Sequence, residues 1–214
     1  MAARSSTDKI IAMSTDPIPE QHKGNQSDVG DHIDSSTNRQ AHSNFVEASR
    51  RLLSVNKWGE MAGQISATFQ LIDGQGTEVN RLARVGDHIR INIPGPGLAT
   101  GEGYDWVRVE SIEDKPDPGA AYESLVMTVR PASSPVNDEK DVAHFFDDSA
   151  TSTFMVERKD LQVVTSVHGR NEVPNKNMER TIDKIRNTVV AGAATSGIAA
   201  FQWTLLTQGL LKDL

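Results

Sequence analysis

Downstream of Phe45 the chain carries three histidines, His88, His144 and His168, together with Asp87, Asp105, Glu110, Asp147 and Asp148. Imidazoles and carboxylates of this kind could build a metal centre, provided that they converge. The hydrophobic alternation argues against convergence. His88 falls opposite Ile89, Ile91 and Ile93, and His168 opposite Leu161, Val163 and Val167, so with the aliphatic positions facing inward these histidines face out. The expectation is solvated or rim histidines rather than a metal site. By the same logic Arg90, Arg108 and Glu110 lie on polar faces and should form cross-strand pairs.

Two short segments break the alternation. In His144-Phe145-Phe146-Asp147-Asp148 one phenylalanine should enter the core and the other pack under a loop, with the mouth of a functional site as the alternative. His168-Gly169-Arg170-Asn171-Glu172 has similar polar density and reads as connecting structure. His22, His32 and His42 recur every ten residues, but in a polar segment without a frame to hold imidazole ligands. Gly95-Pro96-Gly97 and Gly101-Glu102-Gly103 precede a strand rather than the helix N-terminus that would receive a phosphate. The chain has no cysteine and no nucleophile elbow, H-E-x-x-H or Walker lysine. No catalytic residue, metal ligand or cofactor is therefore expected, and an enzyme ranks last among the readings.

The elements that would position a site come next. Residues 1–43 contain no aromatic residue and are rich in polar side chains, which predicts a disordered tail with at most a short strand at Lys9–Met13. Residues 44–214 are expected to form a single α+β domain. Ser43 or Asn44 should cap a helix carrying Phe45, Leu52 and Leu53, which runs, whole or broken near Asn56 or Gly59, to about Ala62. Alternation then predicts strands around Ile65–Leu71, Glu78–Leu82, Ile89–Ile93, Tyr104–Ile112, Tyr122–Arg130, Ser152–Glu157 and Leu161–His168, the last two joined by a tight turn at Lys159-Asp160. Val142–Phe146 is left as a short helix or strand. Strands in series closed by a helix imply a curved antiparallel sheet, with one or more N-terminal helices and one long C-terminal helix across it.

That helix is the uncharged stretch Asn187–Leu211. Its length would span a bilayer, which takes about 20 apolar residues, but Thr195, Ser196, Gln202, Thr204, Thr207 and Gln208 are spread through it. A helix docked on the sheet is the better reading, without membrane insertion. Gly192 and Gly197 should mark its closest approach to a neighbour. A net charge of −7 offers no long-range attraction to nucleic acid. The apolar run Ile10–Met13 is too short for a secretory signal, so the expected location is cytoplasmic.

The order of elements resembles the START-like, or polyketide-cyclase, superfamily, and Leu52-Leu53-Ser54-Val55-Asn56-Lys57-Trp58-Gly59-Glu60 resembles its helix-to-turn stretch with a tryptophan. The resemblance covers roughly residues 44–213. It implies a sheet gripping a long helix around an apolar cavity, and a first strand directly before the helices, which residues 14–43 do not offer by pattern. The leading expectation is a non-catalytic domain for an apolar, lipid-like small molecule, lined by Trp58, Phe69, Ile91, Val109, Met127, Phe154, Gly197 and Phe201. The alternative is self-association as a homodimer through the C-terminal helix, using Phe201, Trp203 and the small-residue face.

Overall fold

The computed structural model describes residues 17–63, 67–92, 103–137, 140–175 and 191–214, with side chains for all of these except 191–200. Seven antiparallel strands form one curved sheet: β1 (Asn25–Asp34), β2 (Thr68–Ile72), β3 (His88–Asn92), β4 (Asp105–Lys115), β5 (Tyr122–Pro131), β6 (Thr151–Lys159) and β7 (Gln162–Glu172). Their spatial order is β1-β7-β6-β5-β4-β3-β2. Between β1 and β2 the chain crosses from one edge to the other through α1 (Asn38–Leu53), a 3-10 turn (Val55–Lys57) and α2 (Trp58–Ala62), and the C-terminal helix α3 (Ala191–Leu211) closes the same face. The α+β class and the sheet-and-helix arrangement expected from sequence are present.

The N-terminal expectation is corrected. Residues 25–34 are not tail but an edge strand, paired with β7 from Asn25↔Glu172 to Asp34↔Gln162. Only Val29 and Ile33 are apolar at its inward positions, and neither is fully buried. The strand is held by its backbone ladder and by α3, which lies against it, so hydrophobic alternation had little to register. It directly precedes α1, the position at which the resemblance noted above implies a first strand. Lys9–Met13, Ile93 to Gly97, and Asn187 to Val190 lie outside the described residues.

Helix α1 starts earlier than Ser43. Thr37 is its N-cap, the hydroxyl accepting the Gln40 N–H at 3.2 Å. Ala41, Phe45, Ala48 and Leu52 then form the buried stripe, at steps of three and four. Glu78–Leu82 is not a strand, its one pairing being the isolated bridge Ile72↔Glu78. Val142–Phe146 forms neither helix nor strand, apart from the bridge Phe146↔Pro174. Asp160 takes a left-handed φ of 55° in the tight turn between β6 and β7.

The main core lies between the concave face of the sheet and the helices. It joins Phe45, Leu52 and Trp58 to Leu71, Ile89, Val109, Leu125, Met127, Phe154, Val156, Val163 and Val167, and to Leu206, Leu210 and Leu211 of α3. The last turns of α3 are anchored tightly. Thr165 Oγ1 donates to the Thr207 carbonyl at 3.0 Å, and Arg51 Nη1 donates to the Leu210 and Lys212 carbonyls at 3.2 and 2.7 Å. Gly209 packs so closely on the Met61 carbonyl that a Cβ would collide with it. A smaller cluster, Ile72, Trp106 and Ala143 with Tyr104, covers part of the opposite face.

Candidate functional site

Four aromatic rings meet where α3 crosses the sheet. Trp58 sits 5.3 Å from Phe69 and 4.9 Å from Phe154, between ring centroids. From α3, Trp203 reaches down at 5.1 Å from Phe154, perpendicular to it, and 6.1 Å from Phe69. Each ring is placed by its element. Phe69 and Phe154 occupy inward positions of β2 and β6, and Trp58 opens α2 with its indole N–H donated to the Leu52 carbonyl at 2.9 Å. Beneath them is a cavity of about 20 Å³, lined by Trp58, Ile89, Ile91, Val107, Val129, His144, Ser152, Phe154 and Trp203. It has room for about one water molecule.

The residues singled out in sequence divide between this cavity and its surroundings. Trp58, Ile91 and Phe154 line it, and Phe69 packs edge-on to Trp58 and tilted against Trp203. Val109 and Met127 are buried in the same core, away from the cavity wall. Phe201 does not join them: its ring is 57 % exposed. The surroundings of Gly192 and Gly197 lie outside the described residues. Trp203, which shares a helical stripe with Leu206 and Leu210 in the sequence but was expected on the assembly surface, takes the inward place on the helix.

Two polar side chains line the cavity, and sequence reasoning placed neither there. Ser152 follows from alternation, two residues before Phe154 on the same face of β6. His144 is not on the rim but buried, contrary to expectation. Asn175 pins its segment, donating from Nδ2 to the Val142 and His144 carbonyls, both at 3.0 Å. His144 Nδ1 accepts the Phe146 N–H at 3.0 Å, which leaves the proton on Nε2. Burial pushes its pKa down to about 3, so the ring is neutral at physiological pH.

Asp105 adjoins this wall. It is the cross-strand partner of Ile91 and lies two residues before Val107, and both of these line the cavity. Strand alternation therefore puts its carboxyl on the concave face. The Trp106 N–H donates to the Ala143 carbonyl at 2.7 Å, so Asp105 and His144 flank one backbone hydrogen bond.

The remaining histidines do not converge with His144. His88 is on the opposite face, its buried Nδ1 without a hydrogen-bond partner, and burial followed by Arg108 lowers its pKa. His168 faces outward as expected. Its Nδ1 meets Asp28 Oδ1 at 2.6 Å and its Nε2 meets Ser166 Oγ at 3.0 Å. This Ser-His-Asp relay has the connectivity of a hydrolytic triad, but β7 is paired on both sides, by β1 and β6. Its backbone N–H groups are thus committed to the sheet ladder and supply no oxyanion hole. Arg170 Nη2 also binds Asp28 Oδ1, at 2.8 Å, completing an outer-face network of the cross-strand type.

No protein-family model matches the chain, and none of the curated proteins does. Among solved structures, a hypothetical protein from Helicobacter pylori is similar over 99 % of this chain and 95 % of its own, with 13 % identity and a TM-score of 0.50. A Thalictrum flavum norcoclaurine synthase mutant in complex with a transition-state analogue covers 87 % of this chain and 97 % of its own, at 9 % identity and a TM-score of 0.34. Ara h 8.0201 covers 86 % and 99 % respectively, at 9 % identity and a TM-score of 0.30. At these identities the likeness to the Helicobacter pylori protein is one of fold.

Proposed function

We propose that the domain binds an apolar small molecule between the concave sheet face and α3, without chemistry of its own. The observation that carries this reading is the position of Trp203. Among the described residues it is the one on α3 that lines the cavity, and it is only partly buried, whereas Leu206, Leu210 and Leu211 of the same helix are at most 3 % exposed. The helix is fastened at its C-terminal turns and rests one large ring on the cavity. Small-molecule pockets usually enclose about 300–1,000 Å³, so a ligand enters by displacing that ring, and the aromatic and aliphatic wall then receives its apolar body. The resemblance to the START-like superfamily supports the same mode of binding.

Titration of the full chain with 1-octanol, followed by tryptophan fluorescence and native mass spectrometry, tests the proposal. A saturable fluorescence change with a one-to-one adduct is expected. Absence of both at the solubility limit of the alcohol overturns it.

The second reading, self-association through α3, rests on the exposure of Phe201 at 57 %. A two-chain mass in solution that reverts to one chain in Phe201→Ser favours it, whereas a one-chain mass for the wild type at high concentration removes it.

A further inference from the structure

Among the described residues the buried carboxyls are, with one exception, provided with hydrogen-bond donors. Asp87 receives Arg81 in bidentate fashion, at 2.6 and 2.8 Å, and the Arg84 N–H at 2.8 Å. Glu123 receives His42, Arg158 and the Asp117 N–H. Glu172 receives the Ser27 hydroxyl at 3.0 Å. Asp105 is 8 % exposed, yet among the described residues no donor reaches its carboxyl, and burial alone accounts for its shifted pKa. An unpaired buried carboxyl opposes folding. Its place on the concave face, beside Ile91 and Val107 of the cavity wall, gives it a use that the packing does not.

We infer that Asp105 is the polar anchor of the cavity and that the ligand class is an amphipathic amine, with a protonated nitrogen bound by Asp105 and an apolar body among the rings. The inference rests on the apolar-binding reading above and adds the headgroup to it. A cation is the complement that this carboxyl lacks. A hydroxyl would supply a hydrogen bond without the charge, and an anion would be repelled. One carboxylate in an apolar wall does not hold a hard metal ion, which takes six or more oxygen ligands or keeps its waters. The surroundings also suit an organic cation. His144 is neutral and does not compete, and the face of Trp58 attracts positive charge. Arg90 on the neighbouring strand β3 and Arg108 on β4 itself alternate to the other face. Arg90 stacks there on Tyr104, 4.9 Å from the ring centroid, and bonds Glu78 at 2.8 Å. Lys115 lies at the far end of β4, exposed and bonded to Glu113 at 2.9 Å.

The test compares n-octylamine, 1-octanol and octanoate as probes of the full chain at pH 7.5, by fluorescence titration and native mass spectrometry, for the wild type and Asp105→Asn. Octylamine should bind at least about tenfold more tightly than octanol, the ratio given by a charge-assisted hydrogen bond, and octanoate more weakly than either. Asp105→Asn should abolish the preference for amine and keep octanol affinity within about twofold, which also reports that the variant is folded. A measurement on the wild type alone guards against a misfolded variant. Octylamine affinity should rise between pH 6 and pH 8 as Asp105 ionises, whereas octanol affinity should not rise. Equal binding of amine and alcohol, or a preference that survives Asp105→Asn, overturns the anchor and leaves apolar binding standing. Failure of every probe to bind overturns both.

Discussion

Trp203 stands edge-on to Trp58, with centroids 6.3 Å apart and ring planes at 86°. One ring belongs to the terminal helix and the other to the first turn of α2, so this contact ties the two helices together at the cavity wall.

Trp203→Ala should therefore separate stability from ligand access. Removing a fully buried tryptophan costs about 3–5 kcal/mol, and for a partly exposed ring about 1–3 kcal/mol is expected. Octanol affinity should rise, because the ligand no longer has to displace the indole. Denaturant unfolding and a fluorescence titration reporting on Trp58 measure the two effects. Weaker octanol binding would make Trp203 a wall that the ligand needs rather than a lid that it moves.

How much of this was legible in the chain follows from the physics of each element. Phe69, Ile91, Val109, Met127 and Phe154 share one face because strand alternation fixes it, and the structure places all five in one core. The helix was less informative. Phe201 and Trp203 lie about 200° apart around it, so only one ring can point inward. Trp203 shares its stripe with Leu206 and Leu210 at steps of three and four, so the spacing favours it. Alanine, glycine and threonine on every side nevertheless left Phe201 counted among the lining residues as well. His144 was beyond reach for another reason. It comes from a segment without a regular period, and it is held by Asn175, thirty-one residues away. β1 was missed because its inward positions alternate Ser27, Val29, Asp31 and Ile33, too polar to stand out.

At the far end of the core Glu123 and Arg158 form an ion pair, the two side chains 0 % and 1 % exposed, and His42 Nδ1 lies 2.9 and 3.0 Å from the two carboxylate oxygens. Arg158→Met strands the carboxylate and should cost about 3–5 kcal/mol, whereas Arg158→Met with Glu123→Leu should recover most of that loss. Burial on its own would raise the Glu123 pKa, but the bonds from His42 and Arg158 outweigh it and hold the group below its ordinary 4.5. A depressed carboxyl pKa stabilises the fold above the unfolded value and loses that contribution as pH falls through the folded one. The wild type should accordingly weaken below about pH 4.5, and Glu123→Gln should show a shallower acid limb. Identical acid limbs would contradict the assignment.

Gly209 reverses a general rule. Alanine in place of a glycine inside a helix usually stabilises by up to about 1 kcal/mol. Here the new methyl would meet the backbone carbonyl of Met61, which has no side-chain freedom to yield. Gly209→Ala should destabilise by about 1–3 kcal/mol through overpacking and lower the melting temperature. A stabilised variant would mean that α3 sits farther from α2 than described.

Asp105 should impose an alkaline limb. Burial raises its pKa from 3.8 to about 7 in the folded protein. Below pH 3.8 both folded and unfolded chains hold the proton, and the group makes no difference to stability. Between that value and 7 the unfolded chain releases the proton while the folded one keeps it, so stability falls as pH rises, levelling off once the folded carboxyl is also ionised. A shift of this size corresponds to about 4 kcal/mol. Asp105→Asn cannot ionise, so it should be more stable than the wild type at pH 8 and close to it at pH 4. Unfolding free energies measured for both proteins from pH 4 to pH 8 give the difference directly. The gap should widen steadily up to about pH 7. Saturating octylamine should close it in the wild type, because an ammonium ion beside the carboxylate supplies the counter-charge that none of the described residues provides. A gap that does not vary with pH would show that the carboxyl is already solvated or paired in solution.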